Sequence, residues 1–174
     1  TKGFYRFNFA DFTPDGKQLI LAADIDSLQN PDRSLESEIF IVNTDGSYLK
    51  KLLGEEGKNY NSPRISPSGK WLAFQYSNTS FVSVPAMAIM PINGSAKNIV
   101  ELPFDRNKGN ITWSNDEKYI YFGAQSNGGQ PIYRTDVNTK KTEQLTDYNS
   151  GISSFDVVNN KLVSDSFNNG DMTA

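Results

Sequence analysis

A turn motif that recurs four times, strand-like segments between its copies, and the lack of helical periodicity predict an all-β chain. Specifically, they predict a β-propeller fragment of about three complete four-stranded blades plus parts of two more. The copies begin at Phe12 (FTPDGK), Ile65 (ISPSGK), Trp113 (WSNDEK) and Phe155 (FDVVNNK), spaced by 53, 48 and 42 residues. A period on the order of 40–50 residues is that of a four-stranded propeller blade.

Each position of the motif has a physical reason. A large apolar residue, Phe12, Ile65 or Trp113, ends a strand and packs inward. Pro14 and Pro67 preset φ for the turn, Asp15 and Asp116 close it through their side chains, and Gly16 and Gly69 supply positive φ without a steric penalty. A strand rich in aromatic and aliphatic residues follows: residues 17–22, 70–76, 118–122 and 161–163. A second set of strands is expected at 37–43, 86–93 and 131–136. More polar strands at 49–53, 97–102 and 141–145 suit exposed blade edges, where charge blocks edge-to-edge pairing. The opening segment, 3–9, is expected to be the last strand of a preceding blade, and the fourth repeat to stop after its first strand near Phe167. The chain is read throughout as one partial propeller, residues 1–174, with repeats starting near 12, 65, 113 and 155.

Composition narrows the function. A net charge of −3 and the absence of a basic run argue against nucleic acid as a partner. No stretch reaches the roughly 20 apolar residues of a membrane span. With no cysteine there is no thiolate ligand, cysteine nucleophile or disulfide, and with no histidine there is no imidazole base or ligand. No cofactor or metal site is expected. The acidic loop around Asp24, Asp26 and Asp32 lacks the register of a calcium loop. The string Gly151–Phe155 lacks the second glycine of a nucleophile elbow. The catalytic set is therefore empty.

Three segments carry a family resemblance. Residues 60–74 (YNSPRISPSGKWLAF) are similar to the blade start of prolyl oligopeptidase-family serine peptidases. Phe104-Asp105-Arg106 followed by Ile111-Thr112-Trp113-Ser114, and Ile132–Asp136 with Glu143–Thr146, resemble the acylaminoacyl-peptidase and dipeptidyl-peptidase branch. Ser68 and Glu117 stand where that pattern usually has Asp and Gly. The resemblance implies the substrate-gating, interdomain propeller of a serine exopeptidase or oligopeptidase acting on short peptides. Its catalytic triad would lie in a C-terminal α/β-hydrolase domain absent from this chain. The implied partners are the rest of the propeller, that hydrolase domain and short peptides, and an extracytoplasmic site is favoured over the cytoplasm. The alternative is a TolB-like envelope propeller serving as a protein-binding platform, since such propellers share the blade motif.

Against that frame, the long insertion between the first repeat's strands, with Asp24 and Asp26, is the expected contact with substrate or another domain, because long loops carry function. Arg106 offers a planar fork for a carboxylate, against the simpler reading of an ion pair with Asp105. Glu36 and Glu38 are weighed as holders of a peptide amino terminus, against strand-flanking roles.

Overall fold

A computed structural model of the chain describes residues 5–25, 35–80, 82–150 and 152–166. It forms two compact units, Thr1–Pro103 and Phe104–Ala174. The first unit holds two four-stranded antiparallel sheets in simple meander order: β1 (Arg6–Phe12), β2 (Gln18–Asp24), β3 (Glu38–Asn43) and β4 (Lys50–Leu53), then β5 (Lys58–Ile65), β6 (Trp71–Asn78), β7 (Ala86–Pro91) and β8 (Val100–Leu102). The second unit holds a third such sheet, β9 (Lys108–Trp113), β10 (Tyr119–Ala124), β11 (Ile132–Asp136) and β12 (Thr142–Gln144), and a hairpin of β13 (Ile152–Val158) and β14 (Lys161–Ser166). These are propeller blades, three complete and one begun. Among the described residues no helix is long and apolar enough to cross a membrane.

One expectation about blade phase is corrected. The opening strand does not end an earlier blade: β1 pairs with β2, Arg6 opposite Asp24 and Phe12 opposite Leu19, and is the first strand of the first sheet. The turn motif therefore lies inside each blade, between its first and second strands.

The motif works by the same bonds three times. The Thr13 hydroxyl donates to Asp15, while the backbone N–H groups of Lys17 and Gln18 donate to Asp15 and to the Thr13 oxygen. Ser114, Asp116, Lys118 and Tyr119 repeat the set, and Ser66 with Ser68 repeats it without a carboxylate. These bonds hold the Asp15 and Asp116 carboxyls below the usual range, the bonded hydroxyl being the largest cause in each. The fourth turn differs. Val158 sits directly opposite Lys161, so a two-residue loop joins the strands, with Asn159 and Asn160 both at positive φ. Such a tight hairpin favours asparagine. The residue equivalent to Phe12 is thus Val158, and Phe155 lies within its strand.

The second and third strands of each complete sheet carry most of the core, whereas β1 has no buried position. Phe12, expected to pack inward, is 60% exposed, while Ile65 and Trp113 are buried. In the first unit Ile20, Ile39 and Leu53 of one sheet pack with Tyr60, Leu72, Phe74 and Met90 of the next. Arg64 ties β5 to β1, its guanidinium 4.4 Å from the Phe9 ring centroid and 3.5 Å from Asp11. In the second unit a smaller cluster, Tyr121, Ile132, Ile152 and Val157, joins β10, β11 and β13.

Candidate functional site

The segment entering the third blade builds a cluster of cations and aromatic rings. Residues 122 and 133 are directly paired in the β10–β11 register, which stacks Phe122 and Tyr133 with centroids 5.8 Å apart. Phe104 closes over both, edge-on to Phe122 at 4.8 Å and tilted on Tyr133 at 5.0 Å. Two cations lie against this group. Arg106 Nη1 donates to the Tyr133 hydroxyl at 3.3 Å, and its Nε lies 3.5 Å from Asp105. The Tyr133 hydroxyl in turn donates to Gln144 at 3.2 Å. The Arg106 side chain remains 44% exposed, so the fork is held in place yet still open to solvent.

Lys108 is the buried partner of this arrangement. It begins β9, is 9% exposed, donates from Nζ to the Arg106 carbonyl at 3.0 Å, and lies 5.7 Å from the Phe104 centroid. Burial pushes its amine down to about 8, with Asp105 pulling the other way. Sequence reasoning singles out Arg106 and misses Lys108 and Tyr133 as its neighbours. The contact exists only because strand register sets position 133 beside position 122, and no local spacing reveals that.

The other expected positions fall elsewhere. Asp24 is buried at the end of β2, opposite Arg6, and Asp26 and Asp32 lie outside the described residues. The insertion's described return, residues 35–37, straps the first sheet to the second. Ser37 forms a parallel bridge with Asn59, its N–H donates to the Lys58 carbonyl, and its carbonyl accepts from the Tyr60 N–H. Glu36 accepts the Gly57 N–H at 2.7 Å and Glu38 pairs with Lys51 at 2.6 Å. Pro14, Asp15 and Gly69 line a cleft between the first two sheets, Pro67 is exposed beside it, and Trp113 is buried at 6% exposure. Among the described residues no group of three or more acidic side chains converges to hold a metal ion.

No family model and no curated protein matches the chain. Solved structures do. TolB from Acinetobacter baumannii superposes over 95% of this chain and 39% of its own, with a TM-score of 0.71 and 18% identity. The fold is that of propeller blades. A puromycin hydrolase matches over 90% of this chain and 26% of its own, at a TM-score of 0.70 and 14% identity. The Pyrococcus horikoshii acylaminoacyl peptidase matches over 82% and 25%, at 0.57 and 14%. The chain thus spans well under half of each of these proteins. Propeller domains of both kinds, TolB and prolyl oligopeptidase-family peptidase, resemble it in fold.

Proposed function

We propose that this chain is the substrate-gating, interdomain propeller portion of a serine peptidase of the prolyl oligopeptidase family, acting on short peptides through a hydrolase domain elsewhere in the polypeptide. The observation that carries the reading is the segment from Phe104 to Trp113. There the resemblance is to the acylaminoacyl- and dipeptidyl-peptidase branch, and the residues build a held, solvent-facing guanidinium on an aromatic base. Such a guanidinium takes a peptide carboxylate or an acidic side chain of a facing domain in two parallel hydrogen bonds. With no histidine in the chain, an ordinary serine-hydrolase triad must be completed by other residues. Partners on this reading are the remaining blades, the hydrolase domain and short peptides; the extracytoplasmic location rests on the resemblance.

A second reading, a TolB-like platform that binds a protein partner, is favoured by the broader superposition on TolB. One experiment separates them. The native polypeptide carrying this sequence is treated with a fluorophosphonate probe and assayed on chromogenic dipeptide and acyl-amino-acid substrates. Serine labelling of a polypeptide well above 19.4 kDa, with hydrolysis abolished by the label, supports the peptidase. Lack of both labelling and hydrolysis overturns it in favour of the binding platform.

A further inference from the structure

Asparagine converts to aspartate or isoaspartate without an enzyme when the backbone nitrogen of the next residue attacks its side-chain carbonyl carbon. A small following residue favours the reaction, because a bulky one blocks the approach. Asn61-Ser62, Asn93-Gly94 and Asn127-Gly128 are pairs of this kind. In unstructured peptides Asn-Gly reacts fastest, so local sequence points to the two glycine pairs. The folded chain presents the three differently.

At Asn61 the reacting groups already meet. The Ser62 N–H donates to Asn61 Oδ1 at 2.8 Å. Cγ is one bond from that oxygen, so the nitrogen lies at most about 4 Å from it, near the 3–3.5 Å of a near-attack pair. The contact arises because β5 is irregular here. Its register against β6 shifts between Asn61 and Arg64, which leaves a residue outside the ladder. Asn61 is exposed, and its amide nitrogen, the group that must leave, makes no hydrogen bond among the described residues.

The glycine pairs are held otherwise. The Gly94 N–H donates to the Pro91 carbonyl at 2.8 Å, not to Asn93. Asn127 sits at φ 48. The left-handed region pairs such a φ with ψ of roughly +30 to +60°, which turns Cβ nearly opposite the next nitrogen. Two backbone bonds between Ser126 and Gly129, both 2.9 Å, keep that turn closed. The neighbouring Asn59 precedes a bulky tyrosine, and both its side-chain polar atoms are engaged, Oδ1 by the Ser37 hydroxyl and Nδ2 by the Leu35 carbonyl.

We propose that Asn61 is a site of spontaneous deamidation, promoted by the fold that protects Asn93 and Asn127. The Ser62 nitrogen gives its proton to hydroxide and its electron pair to Asn61 Cγ. The Cγ–Nδ2 bond breaks, and ammonia leaves with a proton taken from water. Water then opens the succinimide at one of its two carbonyls, leaving aspartate or isoaspartate at position 61. Isoaspartate lengthens the main chain by one atom, which a bulge accommodates more readily than a regular ladder. The inference holds under either functional reading above, because it uses no residue of the Arg106 cluster.

The test is peptide mapping by mass spectrometry of the full chain incubated at mildly alkaline pH, folded and in urea, with electron-transfer fragmentation to separate isoaspartate from aspartate. Each site's rate in the folded chain is divided by its rate in urea. The quotient for Asn61 is expected to exceed those for Asn93 and Asn127 by about ten-fold or more, the rate equivalent of one hydrogen bond. Asn61→Gln should remove the mass gain from the tryptic peptide 59–64 and leave the other two rates as they were, since glutamine must close a larger ring. A quotient for Asn61 equal to or below either of the others, or a mass gain that persists in Asn61→Gln, overturns the inference.

Discussion

The two units follow one blade plan but are held together differently. In the first, two complete sheets share an apolar core that includes Tyr60, Leu72, Phe74 and Met90, reinforced by the backbone strap at residues 35–37. In the second, a complete sheet meets a two-stranded hairpin through four buried side chains. Their turns add a polar link: Asp116 N–H donates to Asn160 Oδ1, and Asn160 N–H donates to Asn115 Oδ1, both at 3.1 Å. Apolar burial scales with the area removed from water, whereas a hydrogen bond near solvent contributes only its small surplus over water. The first unit should therefore be the more stable, and the hairpin the first element to open.

The largest expected effect tests that ranking. Phe74 is fully buried, with rings of Tyr60 and Tyr76 at 5.9 and 6.0 Å. Phe74→Ala should cost about 3–5 kcal/mol through lost contacts and a cavity, whereas Val157→Ala, at the smaller cluster, should cost about 2 kcal/mol. Denaturant melts of both variants, with hydrogen exchange resolved by segment, check this. Earlier exchange of residues 58–76 than of 152–166 in the unmutated chain would reverse the ranking.

Lys108 supplies the next effect, and its sign is the informative part. Its amine falls from the ordinary lysine value to about 8 on folding because burial disfavours the charge. Between about pH 8 and the unfolded value near 10.4 the unfolded chain binds more protons, so stability rises with pH across that window. Below pH 8 the full penalty is present. Lys108→Met should accordingly stabilise the chain at pH 7 by up to about 2 kcal/mol and flatten the profile from pH 8 to 10.4. Melting temperature against pH for both proteins measures it. An unchanged slope would mean that the amine reaches solvent. A lysine kept at such a cost fits a site selected for something other than stability.

Third comes the polar link. Asn160 takes part in both turn-to-turn bonds and sits at φ 59. Asn160→Ala removes the side-chain bond and places alanine in a conformation that asparagine tolerates better, for a loss of about 1–2 kcal/mol. Asn160→Gly keeps the turn and loses only the side-chain bond, about 0.5–1 kcal/mol. If the two variants melt alike, the turn conformation carries none of the cost.

How much of this was legible in the sequence follows from where the apolar residues are. The second and third strands of each blade, such as Gln18–Asp24 and Trp71–Asn78, are dense in buried apolar residues and are readily read as strands. The first strands are less so: the opening one is read as a strand at 3–9 but assigned to the wrong blade, and the other two are read only through the residue that ends them. Arg6–Phe12 has no buried position, Lys58–Ile65 and Lys108–Trp113 bury only three positions each, and all three contain Asn, Pro or Gly. The repeat is consequently anchored on the turn and its phase is set half a hairpin late. The fourth copy is aligned on Phe155 because its aromatic resembles Phe12, yet the strand end is Val158, and the Asn159-Asn160 pair was the available hairpin signal. At the candidate site, Arg106 could be picked out from its motif, but its neighbours depend on strand pairing, which local sequence does not encode.

The smallest effect bears on the motif position where the first unit has glycine and the second has glutamate. Gly16 and Gly69 hold φ at 68 and 74, and Glu117 holds 60 at the equivalent place in the second unit. A glutamate there bears the steric cost of the left-handed region, while glycine bears a larger loss of chain entropy on folding; the two nearly offset, leaving glycine ahead by about 0.5–1 kcal/mol. Glu117→Gly should therefore raise the stability of the second unit by that amount. The converse change, Gly69→Glu, should lower that of the first by a similar amount, since the added Cβ would meet Pro14 at 3.9 Å without a clash. Calorimetry of the pair reads both directions at once. If Glu117→Gly destabilises instead, the glutamate side chain makes a contact worth more than the strain it imposes, and the departure from glycine is a local adaptation of the third blade's turn.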